Sequence, residues 1–123
     1  MNLEFIFKII DKKEWQDAKK AETYNGSEKD KKDGYIHFSE ADQVPETLKK
    51  YYQNKENLIL LKVNAFELEH LLWEQASNGD MYPHLYSPLD IKNVEDEFEL
   101  FLEDDGTHKL PEILKKYQFS RPR

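Results

Sequence analysis

The sequence predicts a single α+β domain over residues 1–123, with a mixed or mainly antiparallel sheet and two short helices. Short β-branched and aromatic runs recur along the chain, helical spacing is confined to two main stretches, and 123 residues suffice for one core. Aromatic residues form 13% of the chain, enough to build that core despite a charged fraction of 35% and a net charge of −7.

Phe5 to Ile10 is apolar on both faces except at Lys8 and reads as a strand buried on both sides. Asp11 then caps a helix, with Glu14 at the capping-box distance and Trp15 and Ala18 facing inward. Tyr24 to Asp33 holds Asn25-Gly26 followed by interspersed lysines and acids, too little apolar surface to pack, and reads as a solvated loop. Asp33-Gly34 opens a second strand, Tyr35 to Phe38, which sets Ile36 and Phe38 on one face and Tyr35, His37 and Ser39 on the other.

Ser39 is a cap candidate for a helix over about 40–54, with Val44, Leu48 and Tyr51 or Tyr52 inward and Pro45 tolerated in its first turn. Leu58 to Val63 is the clearest strand. One helical turn over 64–70 and a short strand over 71–75 follow, then an extended path over 82–88 where two prolines forbid a helix. A long strand over 91–102, a turn at Asp105-Gly106 leading into 107–110, and a short helix over 111–117 complete the chain.

Several chemistries are excluded. Without cysteine there is no disulfide framework, thiolate zinc site, iron–sulfur cluster or cysteine nucleophile. Four isolated glycines allow neither a dinucleotide-binding fingerprint nor a P-loop. The start Met1-Asn2-Leu3-Glu4 lacks a signal peptide's basic region, and no apolar run could span a bilayer, so a cytoplasmic protein with no membrane partner is expected. An acidic total disfavours nucleic acid. The charge is uneven: residues 95–105 carry seven acids and no base, and residues 106–123 five bases and one acid, so the tail is expected to fold back over the acidic strand.

Lys8 needs a carboxylate or phosphate beside it, or else snorkels from the sheet edge. His37 reads either as a structural strand histidine or as a functional one. In an extended chain Tyr82, His84 and Tyr86 point the same way, so they either close the core or stack on a planar ligand and bond its polar edge. Trp73 and Glu74 fall on opposite faces of a short strand, and Glu74 is a candidate partner for Lys8 or a histidine. His70 lies among charged residues and is expected to face solvent. The separations of His37, His84 and His108 follow no known ligand spacing, so no metal is expected.

Taken together, Ile6-Phe7-Lys8-Ile9, Glu14-Trp15, Asp33-Gly34-Tyr35-Ile36-His37-Phe38-Ser39, Gln43-Val44, Leu60-Leu61, Trp73-Glu74 and Tyr82-Pro83-His84-Leu85-Tyr86-Ser87-Pro88-Leu89 resemble the bacterial domain of unknown function 952. The likeness covers a core of about 5–97, leaving 98–123 as a closing strand, turn and basic tail. The family is similar to a compact ADP-ribosyltransferase, which implies a split sheet with short helices and NAD as the candidate cofactor. It also implies that residues of the first two strands, here Lys8 and His37, hold the ribose and nicotinamide. Some relatives have histidine where this chain has Lys8, and lysine suits a phosphate oxygen better than a ribose hydroxyl.

Cleaving the nicotinamide–ribose bond develops positive charge at the anomeric carbon. Ribose hydrogen bonds would come from His37 and Ser39, the aromatic stack from Tyr82 or Tyr86, and the anion from Glu74, a choice made on chemistry rather than motif. Lys8, Tyr35, Trp73 and His84 complete the expected ligand-binding set. RNA 2′-phosphate transfer, another activity of this fold, relies on several arginines, and only Arg121 and Arg123 are present. The alternatives are a non-catalytic module binding a small metabolite or peptide, and an interaction protein using the acidic 95–105 strand.

Overall fold

The computed structural model describes residues 4–117. The chain is α+β, and every strand pairing among the described residues is antiparallel. Strand β1 (Phe5–Asp11) pairs along its length with β4 (Leu58–Asn64), followed across the sheet by β8 (Val94–Leu102) and β9 (His108–Lys109). A second sheet runs β3 (Ile36–His37), β6 (Met81–Leu85), β5 (Leu71–Gln75), and a small third sheet joins β2 (Thr23–Tyr24) to β7 (Leu89–Asp90). The two larger sheets meet at one point: Phe7 and Ser39 exchange both backbone hydrogen bonds at 2.8 Å.

Strands β1 and β4 are buried on both faces, as their apolar runs require, and they divide the interior into two clusters. On one face Ile6, Ile10, Ile59 and Leu61 pack against Trp15 and Ala18 of helix α1 (Lys12–Ala21) and against Ile36, Phe38 and Leu85. On the other, Phe7, Ile9 and Leu60 meet Val44 and Leu48 of helix α3 (Val44–Tyr51) and Leu114 of helix α4 (Ile113–Tyr117). Lys8 shares the first face with Ile6 and Ile10.

Helix α1 starts where its cap predicts: the Asp11 carboxylate accepts from the backbone N–H groups of Lys13 and Glu14. Ser39 is not a cap: its backbone pairs with Phe7 and its hydroxyl lies 3.3 Å from that of Thr47. Glu40 and Gln43 form the capping box of a 3-10 turn at Ala41–Gln43 instead, and α3 begins after it with Pro45 in its first turn. The helix ends at Tyr51, short of the expected Asn54, which adopts a positive φ of 66°. Residues 91–93 form a further 3-10 turn, so the long strand begins only at Val94.

The largest departure from expectation is helix α2 (Glu28–Asp33), within the stretch read as a solvated loop. Ser27 and Asp30 form a reciprocal capping box at its start, and Gly34, at φ 90°, ends it. Its buried residue is a carboxylate, Asp30, so no apolar pattern announced it.

The acidic strand is met by α1. Lys12 lies 3.6 Å from Glu99, Lys19 3.7 Å from Glu97, and the Trp15 indole N–H donates to Glu97 at 2.9 Å. The tail's described part docks through Leu114 and through Tyr117, whose ring lies 5.1 Å from that of Phe5, so its hold is apolar rather than ionic. Residues 118–123 of the expected fold-back lie outside the described residues. No helix among those described is long and apolar enough to cross a membrane.

Candidate functional site

The buried Lys8 finds its carboxylate in α2: its ammonium donates to Asp30 Oδ2 at 2.9 Å, with both side chains almost wholly buried. The Ser27 N–H donates to the same oxygen at 2.9 Å. Asp30 Oδ1 accepts from the His37 backbone N–H at 3.2 Å and from the ring Nδ1–H at 2.6 Å. A carboxylate only accepts, so Nδ1 carries a proton here. Four donors thus converge on one buried group, which links strand β1, helix α2 and strand β3.

Burial alone would raise the Asp30 carboxyl. The His37 hydrogen bond, the Lys8 charge and the Ser27 N–H more than offset that and hold it well below the usual carboxylate range. For Lys8, burial lowers the ammonium and outweighs the opposing charge and hydrogen bond of Asp30. The two directions pull against each other, one favouring and one disfavouring the ion pair. The four converging donors decide for an ionised Asp30.

Beside this chain stands a second one. His37 and His84 are directly paired across β3 and β6, so both side chains lie on one face, with ring centroids 5.6 Å apart and edge-on. The Tyr35 ring stacks on His84 at 4.0 Å and 25°. His84 Nδ1 donates to Glu74 Oε1 at 2.8 Å, and the Tyr86 hydroxyl donates to the same oxygen at 2.6 Å. These two bonds lower the Glu74 carboxyl, and the bond to Glu74 pushes the Tyr86 phenol up to about 12. Asp33 Oδ2 lies 3.0 Å from His37 Nε2 and also accepts from Lys29 at 3.0 Å.

These groups border a cleft of about 280 Å³. Six of the nine expected site residues line it: Lys8, Tyr35, His37, Ser39, Tyr82 and His84. Glu74 and Tyr86 stand behind His84 rather than on the wall, and Trp73 packs against the apolar cluster on the α1 side. Ser39 is buried, with its hydroxyl 3.3 Å from that of Thr47. His108 belongs elsewhere, its Nε2–H donating to the Lys55 carbonyl at 2.7 Å, and His70 is exposed.

Sequence reasoning missed Asp30, Asp33 and the opposite wall, where Thr47, Lys50, Tyr51 and Tyr52 of α3 and its end face the strands. Burial, reinforced by the charges of Asp30 and Glu14, pushes the Tyr52 phenol up to about 12, so this wall presents a hydroxyl. The signal for Asp30 was the Ser27-x-x-Asp30 spacing, a capping box read as loop because no apolar residues follow it.

The chain is similar to protein CC0527 from Caulobacter crescentus. That protein's crystal structure is 40% identical, covers 90% of this chain and 98% of its own, and superposes with a TM-score of 0.86. Its solution NMR structure, also 40% identical, covers 85% and 91% with a TM-score of 0.77. No curated protein matches the chain. The stretch from 9 to 97, which contains Asp30, His37, Glu74 and His84, matches the family described as Protein of unknown function (DUF952), and the chain belongs to that family.

Proposed function

We propose that the cleft between α2, α3 and the β3–β6 strands binds a single nucleotide unit, with NAD as the first candidate to present one. The observation that carries this reading is the convergence of aromatic faces and fixed polar groups in one small cavity. Tyr35, Tyr51, Tyr52 and Tyr82 offer faces for a planar base, while Lys8, Lys29 and Lys50 offer charge to a phosphate. A volume of about 280 Å³ suits one nucleoside half better than a whole dinucleotide. The split arrangement of two antiparallel sheets meeting at Phe7 and Ser39 agrees with an ADP-ribosyltransferase-like fold.

Transfer of ADP-ribose asks more of the site, namely an anion beside the anomeric carbon. Glu74 is engaged by His84 and Tyr86, and Asp33 by Lys29 and His37, so that role passes to Glu46, a carboxylate on the cleft itself. A protein-interaction role for the acidic strand draws less support, since Glu97 and Glu99 already face Lys19 and Lys12.

Calorimetric titration with NAD and with AMP, alongside a measurement of free nicotinamide, tests the reading. Binding of either ligand that is lost in Tyr35→Ala and Lys50→Ala, two residues of the cleft lining, supports it, and released nicotinamide would add transfer or hydrolysis. No heat of binding with either ligand would refute it.

A further inference from the structure

The two histidines differ in what their ring nitrogens have left to do. His84 is about nine-tenths buried and lines the cleft. Its Nδ1–H is given to Glu74, so the neutral ring carries its lone pair on Nε2, and that atom has no hydrogen-bond partner among the described residues. His37 is the converse. Its Nδ1–H is given to Asp30, and the Asp33 carboxylate, which can only accept, faces Nε2 and calls for a proton there. A base and an acid therefore stand side by side on paired strands, 5.6 Å apart, each oriented by its own carboxylate. The Lys8 ammonium lies at the cleft wall, tied to His37 through Asp30, and the described residues offer it no second acceptor.

Resting on the nucleotide reading above, we propose that this site hydrolyses a cyclic phosphodiester on a nucleoside, with His84 as general base and His37 as general acid. Water attacks phosphorus and gives its proton to His84 Nε2 as the new P–O bond forms. The P–O bond to one ribose oxygen breaks, its electron pair stays on that oxygen, and His37 Nε2–H protonates it. One water is consumed and one phosphomonoester is made. Solvent then returns the proton from His84 to His37. Lys8 offsets the charge that accumulates on the non-bridging oxygens. The leaving oxygen takes the place that Asp33 holds, and Asp33 can yield it because it sits at the exposed rim with Lys29 as a second partner. A mononucleotide is favoured over an RNA strand by the size of the cleft and by a net charge of −7.

The test is incubation with adenosine 2′,3′-cyclic monophosphate, following formation of adenosine 2′- or 3′-monophosphate by phosphorus NMR, with binding of AMP, the 5′-monophosphate, measured separately by calorimetry. The expected result is steady hydrolysis that falls by about 100-fold or more in His84→Gln and in His37→Gln while AMP still binds. If either variant loses its native circular dichroism, Glu74→Gln tests the base instead. Glu74 is a positioning residue, so its loss should lower kcat by about 10-fold or more with little change in KM. AMP binding without hydrolysis by the unaltered protein overturns this proposal and leaves the binding reading standing. Hydrolysis that persists in folded variants also overturns it, and failure to bind or cleave any nucleotide removes both.

Discussion

Asp30 is the residue on which the cleft depends. Replacing it with Ala leaves the Lys8 ammonium buried without a counter-charge, and His37 without its orienting acceptor. The expected cost is about 3 to 5 kcal/mol in urea denaturation at neutral pH. The pH dependence has a definite sign. The folded carboxyl titrates below the unfolded value, about 3.9 for an ordinary aspartate, so the unfolded chain binds the proton first. The stabilisation from this group is complete above that value and is lost as pH falls through the folded one. An Asp30→Asn variant should therefore lose less stability than the unaltered protein between pH 5 and pH 3, roughly the upper part of that window. A parallel decline in the two would sink the account. The sequence signalled half of this group: a lysine among apolar residues on β1 called for a carboxylate or phosphate, or else a route to solvent, but nothing in the spacing said which, or which of many acids it was.

Helix α2 shows why the other half was hidden. Six residues with no apolar side chain cannot be recognised by periodicity, and this helix is held by caps and by the contacts of Asp30 and Asp33 with Lys8 and His37 rather than by a hydrophobic face. Strands β1 and β4, with continuous apolar runs, were legible because burial on both faces leaves a compositional mark. Two glycines bracket α2 and separate two kinds of constraint. Gly34 has φ +90° with open space around the position of a Cβ, so Gly34→Ala should cost only the strain, about 1 to 2 kcal/mol. At Gly26, φ is +104° and a Cβ would stand 2.8 Å from that of Asp30. Gly26→Ala should cost more and should also displace the Asp30 carboxylate. Thermal melts of the two would show a larger loss of stability at Gly26, and on the nucleotide proposal AMP titrations would show a larger loss of binding there; equal effects would count against the close contact.

Across the whole molecule, charge pattern named the right neighbours but not the force between them: among the described residues, β9 of the tail pairs with Phe101 and Leu102 at the end of the acidic strand. The basic tail and acidic strand suggested an ionic fold-back, whereas α4 is anchored by Leu114, 1% exposed and packed with Leu100 and Val44. Leu114→Ala should cost about 2 to 5 kcal/mol, and the loss should be nearly the same at low and high salt, because an apolar contact is not screened. A loss that shrank markedly in high salt would restore the ionic picture. The site's histidines were legible in pairs of short motifs, but their convergence was not, since it arises from the antiparallel register of β3 and β6 and no local spacing encodes it.

The junction of the two large sheets bears on how anything enters the cleft. Phe7 and Ser39 lock together one residue before Lys8 and two residues after His37, so the separation of these two groups is fixed by backbone hydrogen bonds before any ligand arrives. Lys8 and His37 thus stand on one continuous piece of paired backbone. A ligand therefore spends little of its affinity on ordering them. On the nucleotide proposal, adjustment falls to side chains at the rim, Asp33 and Lys29 above all, and a ligand would be selected by whether it can displace that pair.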